Sequence, residues 1–252
     1  MEQRLRTEEM QVRDGDEVFS EDVPVISGNS LRGQFRDLLA KDLLGRLDIE
    51  VHDKLLYALY AGGSLERGTG SRKIERELIK EVREKIPMLS LLGTALGTET
   101  IDGKLNMGKL YPIASETEQY TGIESDRSVF EFVDDTFYTR SDDIEGDTDR
   151  DEGEQAQQMK FDVQVFTPGT RFYHYMALEH ATEVEEACLY HAFELFQRSP
   201  HVGGMKSVGH GRVEFEYEGD GLGDNTPYIE FIEENKEEIE EFLKTLDEKL
   251  ES

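Results

Sequence analysis

The chain has 252 residues, a formal net charge of −28, a sequence pI near 4.5 and a mean hydropathy of −0.61. That length can bury a sizeable core, while the lone cysteine, Cys188, excludes an intrachain disulfide and a cysteine zinc cage. No charged-then-apolar opening and no apolar run of membrane length is present, so a soluble cytoplasmic protein with no membrane partner is expected. Acid is spread along the whole chain, glycine is plentiful and tryptophan absent. This is the composition of a halophilic, haloarchaeal-type protein, whose carboxylate surface holds water while salt screens the self-repulsion. It also argues against nucleic-acid binding by bulk electrostatics: such a site must be a local set of cations on an acidic body.

In chain order, Gln11-Val12-Arg13 and Glu17-Val18-Phe19 flank Asp14-Gly15-Asp16 and predict a hairpin, with Arg4, Arg6 and Arg13 making the stretch basic. Val23 to Arg36 reads V-P-V-I-S-G-N-S-L-R-G-Q-F-R. Val23, Val25 and Ile26 predict a buried strand end, and Ser27-Gly28-Asn29-Ser30 a turn. Ser30 is placed to cap a helix carrying Leu31, Phe35, Leu38, Leu39, Leu43 and Leu44 at helical spacing. Arg32 and Arg36 in the first turns oppose the helix dipole, which suits a docked anion, although for an arbitrary strand-turn-helix arginines facing water or pairing with Asp37 are the favoured reading.

Val51, Leu55, Leu56, Leu59 and Tyr60 predict a second helix broken at Ala61-Gly62-Gly63-Ser64, then a glycine-punctuated loop. A helix of alternating charge follows, with Ile74, Leu78, Ile79 and Val82 inward and a solvated charged face. Residues 88–113 hold short apolar pieces between Gly93, Gly97, Gly103 and Gly108, and Asp102-Gly103-Lys104 between Ile101 and Leu105 predicts a hairpin. The phosphate-loop pattern G-x-x-x-x-G-K-[ST] is absent, which disfavours nucleotide hydrolysis.

Residues 128–138 have strand content, and 141–158 predict a mobile loop whose acids miss the EF-hand spacing. Phe161, Val163 and Val165 alternate as a strand, and the turn Thr167-Pro168-Gly169-Thr170 predicts an antiparallel hairpin with Phe172 to Leu178. Glu183 to Arg198 is an amphipathic helix, with Cys188 and His191 on one side. A metal or thiol site there is conceivable, but a buried cysteine beside a core-edge histidine is far commoner.

His201 to Val213 reads H-V-G-G-M-K-S-V-G-H-G-R-V, a glycine-rich loop feeding a strand at Val213–Tyr217 and carrying Lys206, His210 and Arg212. Glycines let backbone N–H groups approach phosphate closely, although an ordinary long turn has the same look. The tail, 227–252, predicts a capping helix.

Val25, Ile26, Gly28, Ser30, Leu31, Arg32, Gly33 and Arg36 fit I-P-G-S-S-L-[RK]-G-x-x-R, and the chain resembles the CRISPR-associated RAMP superfamily that carries this signature. The G-N variant looks closest to type IV, and the chain as a whole to type IV or type III-like backbone subunits, the guide-RNA filament subunits of class 1 effector complexes. The middle segment 88–113 and the loop 201–213 resemble that family as well. The resemblance implies an α+β fold with a ferredoxin-like (RRM-like) β-α-β-β-α-β core in a single domain over 1–252. It implies a helical insertion at about 46–87, a long thumb-like insertion at about 115–158 and a C-terminal helix at 227–252. The family normally has a first strand before this region, so the start leaves room only for a very short one or is truncated.

The resemblance further implies sequence-independent binding of CRISPR RNA by a repeated structural subunit in antiviral defence, next to copies of itself in a helical filament, other effector subunits and a target nucleic acid. Carried over by position, Asn29, Ser30, Arg32, Gly33, Gln34 and Arg36 would hold the RNA backbone, with Lys206, Ser207, Gly209, His210 and Arg212 as a second contact. No catalytic residue, metal site or cofactor is expected on that reading. The alternative is target-RNA cleavage of the type III kind, with Mg2+ and an acid before the signature, where Glu8 aligns. His210 as a general acid–base for metal-independent RNA processing is a further reading, and an acidic scaffold without nucleic acid the last.

Overall fold

The first hairpin follows from its turn chemistry. The computed structural model describes residues 2–63, 76–97, 99–140, 159–218 and 223–251. After β1 (Glu2–Gln3), β2 (Thr7–Asp14) pairs antiparallel with β3 (Glu17–Pro24), from Thr7↔Pro24 to Asp14↔Glu17. Gly15 sits between them at φ +58, the left-handed torsion such a tight turn needs. Then come α1 (Gly28–Leu47), α2 (Asp53–Tyr60), α3 (Arg76–Lys85), α4 (Pro87–Leu92), β4 (Thr94–Leu96), β5 (Glu99–Ile101), β6 (Leu105–Met107) and β7 (Tyr111–Pro112). The second half holds α5 (Glu118–Thr121), β8 (Val133–Arg140), β9 (Met159–Phe166), β10 (Phe172–Tyr173), β11 (Met176–Leu178), α6 (Glu183–Gln197), α7 (Thr226–Glu234) and α8 (Lys236–Glu251).

The chain divides into two compact units. Met1–Ser27 and Lys109–His174 form the first. Its sheet has the order β1-β9-β8, with β1 parallel and β8 antiparallel to β9, and β7 pairs separately with β10. Met10, Val23, Val25, Ala114, Val129 and Phe132 make its core, with Tyr111 and Phe166 packed against them. Beside that core, the buried Glu116 carboxylate accepts from the Val129 amide at 2.8 Å and from the Ser115 and Ser128 hydroxyls.

Gly28–Gly108 and Tyr175–Ser252 form the second unit, where the helices gather. α1 and α6 pack through Phe35, whose ring meets Phe193 at 4.8 Å and Phe196 at 5.5 Å, both edge-on. Two turns further along α1, Asp42 Oδ2 accepts from His191 Nε2 at 2.9 Å and from Arg46 Nε at 2.6 Å. Since residue 35 meets 196 and residue 42 meets 191, the two helices run antiparallel. Thr182 and Glu185 start α6 as a reciprocal cap: the Glu185 amide donates to Thr182 Oγ1 at 3.3 Å, and the Thr182 amide to Glu185 Oε2 at 2.7 Å. Lys104 adds a 2.6 Å ion pair to the same carboxylate.

The fold is α+β, and several expectations are corrected. Helix α1 begins at Gly28, so Ser30 lies inside its first turn rather than capping it. β5 folds back on β4, not on β6, and β6 pairs with β11. Gly103 is glycine for a different reason: an added Cβ would meet the Leu92–Gly93 backbone at 2.7–2.8 Å. β9 pairs with β8 instead of with the segment after the Thr167 turn. Residues 129–132 are a 3-10 turn before β8 begins. Residues 213–217 form no strand: beside them only the His201↔Arg212 bridge forms, and Phe215 and Tyr217 pack on Phe193 of α6 instead. The C-terminal helix is two helices, interrupted at Asn235. Among the described residues the strands form one three-stranded sheet and four pairs. Residues 141–158, the expected acidic loop, lie outside the described residues, as do Ile74 and the loop at 66–70. Among the described residues no helix is long and apolar enough to cross a membrane.

Candidate nucleic-acid interface

The signature helix starts in a crowded corner. An added Cβ on Gly28 would come within 2.3 Å of Gly108 O and 2.5 Å of Met107 O, so only glycine lets α1 begin against that backbone. Arg32 and Arg36, four residues apart, share one helix face with Leu39 and Leu43. That face is the buried one, as Leu39 and Leu43 show.

The arginines accordingly reach inward. Arg32 donates through Nη1 to Leu92 O at 3.1 Å and through Nη2 to Leu105 O at 2.5 Å. Arg36, only 5% exposed, donates through Nη2 to Leu92 O at 2.9 Å and Gly93 O at 2.6 Å. A Cβ on Gly62 would sit 2.7 Å from the Arg36 Cζ, so Gly62, at φ +67, makes room for that guanidinium. Arg36 therefore clamps the α4–β4 junction, and the expectation of direct phosphate contact through it meets a buried side chain.

Their charge persists nonetheless. Burial pulls the Arg32 guanidinium below its ordinary range. Arg36 falls to about 10, through burial first and then the Arg32 charge, with Asp37 opposing. At about 10, Arg36 remains cationic at neutral pH. Arg32 Nε and Arg36 Nη1 are buried without a hydrogen-bond partner among the described residues. Two cations just behind a helix N-terminus reinforce its positive end. The side chains left accessible there are Asn29, exposed, with Ser30 and Gln34 half-buried, beside Gly33. A Cβ on Gly33 would meet nothing within 4 Å. The protein's own packing thus gives no reason for a glycine that costs about 1 kcal/mol in a helix.

The second motif is built differently. Val202 N donates to Gly211 O at 2.8 Å and Val213 N to Pro200 O at 3.0 Å, closing a loop between them. Inside it Gly203 (φ +79), Met205 (φ +62) and Gly209 (φ +90) take left-handed torsions around a 3-10 turn, Lys206–Val208. Gly211 (φ +77) is also sterically required, since a Cβ would meet Val202 O at 2.1 Å. Lys206, Ser207, Gly209 and Arg212 are exposed and His210 is half-buried. None of their predicted positions is sealed inside the fold.

The antiparallel register of α1 and α6 relates the two motifs. α6 ends at Gln197 and leads directly into the loop, while α1 begins at Gly28. The start of the signature helix and the glycine-rich loop therefore sit at the same end of the helix pair.

The other predicted sites fall elsewhere. Glu8 is not in a loop but in β2, opposite Val23, and its carboxylate takes an ion pair from Lys109. A metal at Glu8 would have to displace that ammonium, and among the described residues no three acidic, histidine or cysteine side chains cluster as a metal site. Cys188 and His191 are buried. Burial pushes the Cys188 thiol far up, which makes it a poor nucleophile. Sequence reasoning missed the inward turn of Arg36, although the stripe Arg32, Arg36, Leu39, Leu43 carried that signal.

No curated protein matches the chain. A solved structure described as "Type IV-B CRISPR Complex" is similar with a TM-score of 0.56 and 20% identity, covering 83% of this chain and 78% of that one. At that identity the likeness concerns the fold. Over residues 12–214 the chain matches the family model described as the RAMP superfamily, and it belongs to that superfamily.

Proposed function

We propose that this protein is a structural subunit of a CRISPR effector complex that holds the backbone of a CRISPR RNA without reading its sequence. The carrying observation is the shared end of the α1–α6 pair, where α1 begins and α6 leads into the glycine-rich loop. Family membership and the likeness to a chain of a Type IV-B CRISPR complex support the reading.

In this account the strand runs past the N-terminus of α1. Asn29, Ser30, Gly33 and Gln34 meet it with side chains and close backbone approach, and Lys206, Ser207, Gly209, His210 and Arg212 meet it from the loop. Arg32 and Arg36 act from behind, by fixing the corner and adding positive potential. A local cationic end on a chain of net charge −28 suits backbone binding in concentrated cytoplasmic salt, where bulk repulsion is screened.

The finer assignments belong to the same proposal. A ferredoxin-like core in one RAMP-like domain is the fold reading, and α1, β6, β11 and α6 follow one another in the chain order of the middle of such a core. The partners are CRISPR RNA, further copies along a filament, other effector subunits and a target nucleic acid. Glu8 in this reading ties β2 to Lys109 and does no metal chemistry. The test is binding of single-stranded RNA in molar potassium chloride. The expected result is affinity that grows with length and tolerates any sequence; a folded protein that binds no RNA, alone or with its genomic neighbours, contradicts the proposal.

A further inference from the structure

Tyr175 stands at the same corner as the start of α1, and neither motif includes it. It lies between β10 and β11 with 52% of its surface exposed. Its position depends on two stacked close approaches. Gly28 lies against Gly108 O, and a Cβ on Gly108 would come within 2.7 Å of Tyr175 Cε1 and 2.8 Å of Cδ1. Gly108 N donates to Tyr175 O at 3.0 Å, which fixes the backbone beneath the ring. Neither Gly28 nor Gly108 has a positive φ, so both are glycine for space and not for torsion. Their effect is to lay an aromatic ring beside the first turn of the signature helix. The Tyr175 hydroxyl makes no hydrogen bond among the described residues. Val208, on the loop at the same end of the helix pair, is likewise 52% exposed.

An exposed ring beside phosphate-directed donors is the arrangement that binds single-stranded nucleic acid: cations and N–H groups hold the backbone while a base covers the ring. Stacking tolerates any base, which matches a site meant for any sequence. We infer that Tyr175 is a stacking platform for one nucleobase of the RNA strand bound at this end of the second unit. The inference rests on the RNA-binding reading and extends it from the backbone to a base.

The test compares wild type, Tyr175→Ala, Tyr175→Phe and Tyr175→Leu on a short RNA and on an abasic ribose-phosphate oligomer of equal length, in molar potassium chloride. Tyr175→Ala and Tyr175→Leu weaken RNA binding about tenfold, and Tyr175→Phe keeps it. The abasic oligomer binds all four proteins alike. Tyr175→Leu still covers Gly108, so it separates loss of stacking from loss of fold. The inference is overturned if Tyr175→Leu binds RNA as wild type does, or loses as much on the abasic oligomer. Wild type that binds neither oligomer refutes the RNA-binding reading and this inference with it; binding of both with no effect of Tyr175 refutes this inference alone.

Discussion

The two glycine-rich motifs place their cations oppositely. In the signature helix Arg32 and Arg36 point inward onto the carbonyls of Leu92, Gly93 and Leu105, and Gly28 makes room for packing. In the loop, Lys206 and Arg212 are exposed, and Gly203 and Gly209 serve torsion while a Cβ on either would meet open space. One motif builds a corner inside the fold and the other presents charge on the surface. Similar composition therefore hides two physical roles, and substitutions separate them.

The largest effect is expected at the clamp. Arg36→Ala leaves the Gly93 carbonyl without its charged donor and the Leu92 carbonyl with Arg32 alone, and should cost about 3 kcal/mol of stability, read as a lower denaturation midpoint. Arg36→Lys should not rescue it, because an ammonium lacks the planar fork. A fully stable Arg36→Ala would break the assignment of Arg36 to the interior.

Asp42 tests what holds the two motifs at one end. Asp42→Ala removes the acceptor for both His191 and Arg46 and should cost about 2 kcal/mol. Burial raises the Asp42 carboxyl, but the hydrogen bonds and charges of His191 and Arg46 outweigh it and leave it below its ordinary range. A carboxyl depressed on folding stabilises above its unfolded value and loses that contribution as pH falls through the folded one. The stability gap between wild type and Asp42→Asn should therefore close on acidification below about pH 4.

The loop should behave in the opposite way to the clamp. Lys206→Ala/Arg212→Ala should change stability by less than about 0.5 kcal/mol. The same double variant should weaken RNA binding about tenfold and flatten the salt dependence by about 1.4 in log–log slope, the share of two phosphate contacts on a single strand. The smallest and most diagnostic effect is Gly33→Ala. Its Cβ meets nothing in the protein, so the helix should gain up to about 1 kcal/mol while RNA binding falls. A gain in stability with unchanged binding would place the strand elsewhere.

Much of this was legible in the sequence, for local reasons. The hairpin around Gly15, helices α1, α2, α3 and α6, and both motifs follow from periodicity and turn chemistry. What was not legible depends on long-range partners. Gly103 and Gly97 look alike in sequence, yet one avoids the Leu92–Gly93 backbone and the other, at φ +56, follows the end of β4. Val213 to Tyr217 has strand content, but its aromatics found α6 before any neighbouring strand. The arginines read as exposed because their charge outweighed their place on the Leu39–Leu43 stripe. Tyr175 carried no signal, since only the two stacked glycines place it at the corner.

The central claim is that the start of α1 and the loop at 203–210 form one RNA-binding end. The most direct measurement is photocrosslinking of a defined RNA oligomer to Asn29→Cys and to Ser207→Cys, each carrying the same photoreactive label, with the crosslinked nucleotides mapped. The account predicts that both positions capture the RNA, at the same or adjacent nucleotides. Capture from only one position, or from both at nucleotides far apart along the strand, would contradict it.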